Sequence, residues 1–131
     1  MFQVTFFPDE LITVVHPEGK KVTRKLLEHP NATFVWGRLM DPFFIAGLLG
    51  APRPFAPAHV SGLTRKPTRE FFDVSPSRNE VVPGVVLFGL TNADMKKLNT
   101  FERTGQAMER HVVQVTMGQI KREVFMYLRK K

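Results

Sequence analysis

Short apolar runs, β-branched or aromatic and bounded by Pro, Gly, Asn or Asp, recur along the whole chain: "FQVTFF", "LITVV", "TFVW", "VVLF", "HVVQV" and "EVFMYL". Runs of that length and chemistry form strands rather than helices. Only two stretches read as helices. In "DPFFIAGLLG", Asp41 is a good N-cap, Pro42 suits the first helical position and Gly50 the stop, with apolar residues 44, 45, 48 and 49 on one face. In "TNADMKKLNTFER", Thr91 is an N-cap, with Asp94 three residues on as in a capping box. Strands and helices do not alternate as in βαβ units. The pattern therefore predicts a strand-rich α+β fold with a mixed or mostly antiparallel sheet or barrel.

The rest of the pattern is read between these landmarks. Residues 2–28 read as two or three strands, turned at "PEGK". "APRPFAPAH" reads as an extended loop, "AHVSGLTRK" as a strand and "PTREFFDVSPSRNE" as a long polar loop. "VVPGVVLFGL" reads as a strand pair bent at "PG", and "RHVVQVTMGQIKREVFMYL" as a final hairpin turned at "GQ". A length of 131 residues fits one domain. Within it, residues 1–30 form an N-terminal strand extension and residues 31–131 the core.

Composition removes several classes of function. The chain has no cysteine, which excludes disulfides, thiolate catalysis and cysteine-ligated zinc and suits a cytoplasmic location. No apolar run approaches the roughly 20 residues that cross a bilayer, and the start "MFQVTFFPDE" lacks the basic region of a secretory signal. The net charge of +7 raises the question of nucleic acid. The basic residues are scattered, though, without interleaved aromatics, so nucleic acid is disfavoured, and a basic surface around a site for small anions is at least as good a reading. His16, His29, His59 and His111 have no metal-ligand spacing. Glu70, Asp73 and Glu80 read as solvated loop charges.

One carboxylate stands apart. Glu102 follows Leu98 and Phe101 at the end of the second helix. It is either a solvated helix-end charge or a general base set against an apolar face.

The order of motifs favours the second reading. "VWGRLMDP" closes the first core strand; "GVVLFGLT" runs into a helix ending "LNTFER"; "AMERHVVQV" follows. This order resembles the gamma-glutamylcyclotransferase-like family, which includes avirulence-induced-gene proteins and gamma-glutamylamine cyclotransferase. The family's "YGTL" or "YGSL", "V.G.vy.l", "LD.fEg" and "Y.R..v.v" stand here as "WGRL", "VPGVVLFGL", "LNTFER" and "M.R..V.V". "AHVSG" resembles its "a.l.Gy". The likeness covers about residues 33–129.

The resemblance implies a small mixed β-barrel flanked by short helices, with extra N-terminal strands. It implies no metal and no cofactor. The partner it implies is a small-molecule gamma-glutamyl compound, cut by internal cyclisation to 5-oxoproline and a free amine. It places the general acid/base at Glu102 and substrate binding at Trp36, Gly37, Arg38 and Leu39. The chemistry suits these residue types. A free Glu, at ~4.3, is a poor base for an α-amine near ~8, and apolar walls such as Leu98, Phe101 and Met108 would raise it. A glycine loop offers backbone N–H groups to the oxyanion.

The chain also departs from the family. Trp36 replaces a Tyr, Arg38 a small residue, Asn99 an Asp in a structural position, and Met108 a Tyr whose hydroxyl is then missing. An Arg at 38 could pair with a substrate carboxylate, fill the pocket or turn outward. Arg110 reads as a sheet-edge anchor through an ion pair, with substrate contact as the alternative. The alternative to an enzyme is a non-catalytic small-molecule-binding or interaction module on the same fold.

Overall fold

Residues 2–9, 11–67, 72–102 and 108–129 are described in a computed structural model of the chain. The N-terminal runs pair as an antiparallel hairpin, β1 (Gln3–Phe7) with β2 (Ile12–His16), in register Val4↔Val15. Alternation sends Ile12, Val14 and His16 inward. It leaves Phe2, Val4 and Phe6 exposed along the outer strand.

The second strand expected in "KKVTRKLL" is absent. Val22 is buried as an anchor, and Arg24–Leu27 form a one-turn helix, α1. Straight-chain Arg, Lys and Leu favour helix over strand. The turn is also held from outside, because Arg122 donates to the carbonyls of Leu27 and His29.

Five strands close into a barrel: β3 (Thr33–Val35), β4 (Phe55–Pro67), β5 (Phe72–Leu87), β6 (Met108–Met117) and β7 (Ile120–Arg129). Their order is β4-β5-β3-β7-β6, and β6 returns to β4 at His59↔Thr116. The β3–β7 pair is parallel, at Thr33↔Phe125; the other pairs are antiparallel. β2 attaches the N-terminal hairpin to β4 at Val15↔Phe55.

Period-two alternation then sorts side chains between two cores. Phe34, Val60, Val82, Val86, Val115, Val124 and Met126 fill the barrel. Val35, Val85, Leu87 and Tyr127 point the other way. There they meet Leu39, the helix α2 (Pro42–Leu49) and the helix α3 (Asn92–Phe101). None of these helices is long and apolar enough to cross a membrane.

Three loop readings are corrected by β4 and β5. The strand β4 begins at Phe55, inside the proline-rich segment. Pro57 pairs with Val85 and lies between the β2 and β6 contacts of its other edge, where a missing N–H costs the ladder little. The polar segment read as a loop contributes residues 72–80 to β5, paired with β4 from Leu63↔Pro76 to Pro67↔Phe72. Its polar composition, with Pro and Ser, hid the strand. Residues 68–71 of that reading lie outside the described residues, as do Glu70 and the side chain of Asp73, while Glu80 is exposed. Finally, β5 runs unbroken through "PG", which pairs regularly with His59 and Ala58, and the irregularity falls further along, between Ser61 and Leu63. At Pro83–Gly84 the need is a different one. Gly84 is required there for closeness, not bending: a Cβ would lie 2.6 Å from the Phe34 ring.

Candidate functional site

The loop after β3 is built by one glycine. Thr33, Phe34 and Val35 are all buried, and Trp36 is still extended, packed partly against the barrel core. Gly37 then adopts φ 69°, which favours glycine, with open space where a Cβ would sit. The chain tightens into a 3-10 turn over Gly37–Met40. Leu39 is buried in the helix-side core, and Arg38 is exposed with its guanidinium 5.6 Å from the centre of the Phe44 ring. Asp41 ends the turn and caps α2, accepting from the Phe43 N–H at 2.9 Å.

The helix that carries Glu102 is fixed at its start. Thr91 Oγ1 accepts from the Asp94 N–H at 3.1 Å, and Asp94 Oδ2 accepts from the Thr91 N–H at 2.9 Å. Arg53 grips the same carboxylate with two nitrogens, at 3.0 Å to Oδ1 and 3.2 Å to Oδ2. Met95 and Leu98 then bury against the barrel. The helix ends at Glu102, whose N–H donates to the Leu98 carbonyl at 2.9 Å. Phe101 packs edge-on against Phe44 at 5.4 Å. Thus Arg38, Phe44 and Phe101 form a line of contacts from the loop to the residue beside Glu102.

The Glu102 side chain is half-buried, and burial pushes its carboxyl from 4.5 up to about 6. Loss of water disfavours the charged form, and among the described residues no opposite charge offsets it. Leu98 is fully buried and Met108 partly buried in the adjoining core, while Phe101 stays 39% exposed.

Two residues join this site that sequence reasoning placed elsewhere or passed over. Tyr127, the chain's one tyrosine, is 4% exposed on β7. The parallel register Thr33↔Phe125, carried two residues on, sets it level with Val35 at the entrance to the Gly37 loop. Its hydroxyl donates to Asn99 Oδ1 at 2.6 Å. Burial raises its pKa; the charge and hydrogen bond of Arg110 lower it, and the charge of Glu102 raises it. The hydroxyl therefore lies within electrical reach of both. This hydroxyl is carried on β7 rather than at the Met108 position, and Asn99 accepts its hydrogen bond.

Arg110 is opposite Tyr127 across the β6–β7 ladder. Its guanidinium lies 4.7 Å from the centre of the Phe125 ring, close enough to the Tyr127 hydroxyl to lower its pKa. This replaces the ion pair expected of it: among the described residues it has no carboxylate partner. The signal available in the sequence was a lone tyrosine two residues from the middle of an alternating strand. A separate groove of about 420 Å³ lies along the β4–β6 seam, lined by Val60, Ser61, Gly62, Gln114 and neighbours but by none of the residues above.

Comparison with known proteins gives the same assignment as the motifs. A family profile described as gamma-glutamyl cyclotransferase, AIG2-like, matches residues 33–131. No curated protein sequence matches significantly. The fold is similar to the solution structures of two Arabidopsis thaliana proteins. At3g28950.1 has a TM-score of 0.66 and 24% identity, and At5g39720.1 has a TM-score of 0.68 and 27% identity. Each alignment covers 76% of this chain, which spans 61% and 68% of their respective lengths.

Proposed function

Because the chain belongs to the AIG2-like gamma-glutamyl cyclotransferase family, we propose that it cyclises gamma-glutamyl amides, with Glu102 as general acid/base. The observation that carries this reading is a carboxyl at a helix end, pushed up to about 6 by burial, beside the Tyr127 hydroxyl.

The substrate's α-ammonium gives a proton to Glu102. The freed amine attacks the γ-carbonyl carbon, and its electrons move onto oxygen. Backbone N–H groups around Gly37 receive that oxyanion, with Trp36 and Leu39 holding the loop in place. The attacking nitrogen, now carrying a positive charge, gives up its second proton as the intermediate collapses and the amide C–N bond breaks; Glu102 relays both protons to the leaving nitrogen, which departs as its ammonium. The products are 5-oxoproline and the free amine. An α-amine titrates near ~8, so raising the carboxyl from 4.5 to about 6 narrows the mismatch from roughly 3.5 units to roughly 2. The reaction is intramolecular, so folding the glutamyl chain over Glu102 supplies much of the rate. Arg38, exposed over Phe44, lines the mouth of the site, where the released amine leaves. The absence of cysteine fits a cytoplasmic enzyme.

The test is product analysis. The native protein is incubated with a panel of gamma-glutamyl amines, dipeptides and glutathione, and 5-oxoproline is measured. The native protein releases it from at least one substrate, and Glu102→Gln lowers the rate roughly 10²- to 10⁴-fold with the fold intact. Equal rates in both would remove Glu102 from the chemistry.

A further inference from the structure

The Tyr127 hydroxyl lies across the ladder from one cation and is bonded to the helix that carries one base. Glu102 reaches it from α3 and Arg110 from β6. Asn99, three residues before Glu102 and so on the same face of α3, fixes its direction at 2.6 Å. The two charges do not close on each other, because no Glu102–Arg110 ion pair forms within 4.0 Å among the described residues. Arg110 is exposed, and one face of its guanidinium is stacked on Phe125. Stacking orients the flat group and leaves its N–H edge for an acceptor. Arg38 has a different place, over Phe44 on the loop.

A gamma-glutamyl substrate carries an ammonium and a carboxylate on the same α-carbon. A site for that carbon needs a base and a cation a few ångströms apart, neither neutralised by the other. We propose that Arg110 is the anchor of the substrate α-carboxylate, so that the glutamyl group binds as a zwitterion across Tyr127, its ammonium on Glu102. The inference rests on the cyclotransferase reading and adds its specificity. Arg110 selects α-amino acids over simple amines, and Asn99 and Tyr127 set the spacing of the two charges.

The experiment compares two amides of one amine, gamma-glutamyl and 4-aminobutanoyl. Both can cyclise, but the second lacks the α-carboxylate. In the native protein the gamma-glutamyl amide is preferred in kcat/KM by roughly 10- to 100-fold, the size of a lost charged hydrogen bond. In Arg110→Ala the preference collapses to about threefold or less, through loss of the better substrate. Arg110→Lys keeps the charge and restores part of it. An undiminished preference in Arg110→Ala, or an equal fall for both amides, overturns the anchor while leaving the cyclotransferase reading standing. If neither amide turns over, that reading fails by itself. Calorimetric binding of L-glutamine against 4-aminobutanamide, in native protein and Arg110→Ala, then reads the same preference without turnover. Tighter L-glutamine binding that requires Arg110 supports the anchor, and equal binding of the two overturns it.

Discussion

Glu102 performs its proposed task at a cost to the fold. Its carboxyl titrates at about 6 in the native chain against 4.5 for an unperturbed Glu. The sign follows from proton binding. Between those values the native state holds more protons than the unfolded one, so stability falls as pH rises through the window. Below about 4.5 the penalty is gone; above about 6 it is complete. A shift of that size corresponds to about 2 kcal/mol at most. Glu102→Gln, neutral and of the same shape, is therefore expected to stabilise the protein by up to about 2 kcal/mol at pH 8 and hardly at all at pH 4. Urea unfolding at the two pH values measures it. Equal effects at both would mean that the carboxyl is not desolvated. A variant more stable and less active is what a strained functional group produces, and a plain helix-end acid would not.

At the scale of elements, α3 aims Glu102, and the grip on its first turn does the aiming. Asp94 is 4% exposed and answers both the capping box and Arg53. Arg53→Ala leaves that carboxylate buried with only its backbone partner, and should cost about 3 kcal/mol by denaturant unfolding. At temperatures where the variant stays folded, turnover should fall too, because the helix end moves relative to Tyr127. Intact turnover would mean that the packing of Met95 and Leu98 alone sets the helix. The caps of α2 and α3 were legible in the sequence because they are local: Asp41, Pro42, Gly50, Thr91 and Asp94 act within one turn. The last hairpin was legible for the same reason, from alternation around a short turn. The place of Tyr127 and Arg110 at this site was not, because it depends on α3 docking beside β7, where Asn99 meets the Tyr127 hydroxyl from 28 residues away. The β4–β5 arm was hidden by the polar, Pro- and Ser-containing composition of its sequence. The one-turn α1 was hidden because its carbonyl partner, Arg122, is distant in sequence.

For the whole molecule, the family match begins at residue 33, yet the barrel core does not. Phe7, Ile12, Val14, Val22 and Leu27 are buried in the same cluster as Phe34, Val86 and Met126. Each such side chain contributes about 1.5–3 kcal/mol by burial, and together they are comparable to the whole margin of an ordinary domain, about 5–15 kcal/mol. Residues 31–131 alone should therefore fail to show a cooperative unfolding transition by circular dichroism. A fragment that melts like the full chain would make residues 1–30 an appendage. The intact barrel, with helices on one side, exists in this account to hold one carboxyl between apolar walls and a hydroxyl. The decisive measurement is the pH dependence of kcat/KM for 5-oxoproline release by the native protein, with Glu102→Gln beside it. An acid limb at about 6, together with loss of turnover in the variant, is the predicted result. An acid limb at 4.5 or below, or a variant that turns over as fast as the native protein, would contradict it.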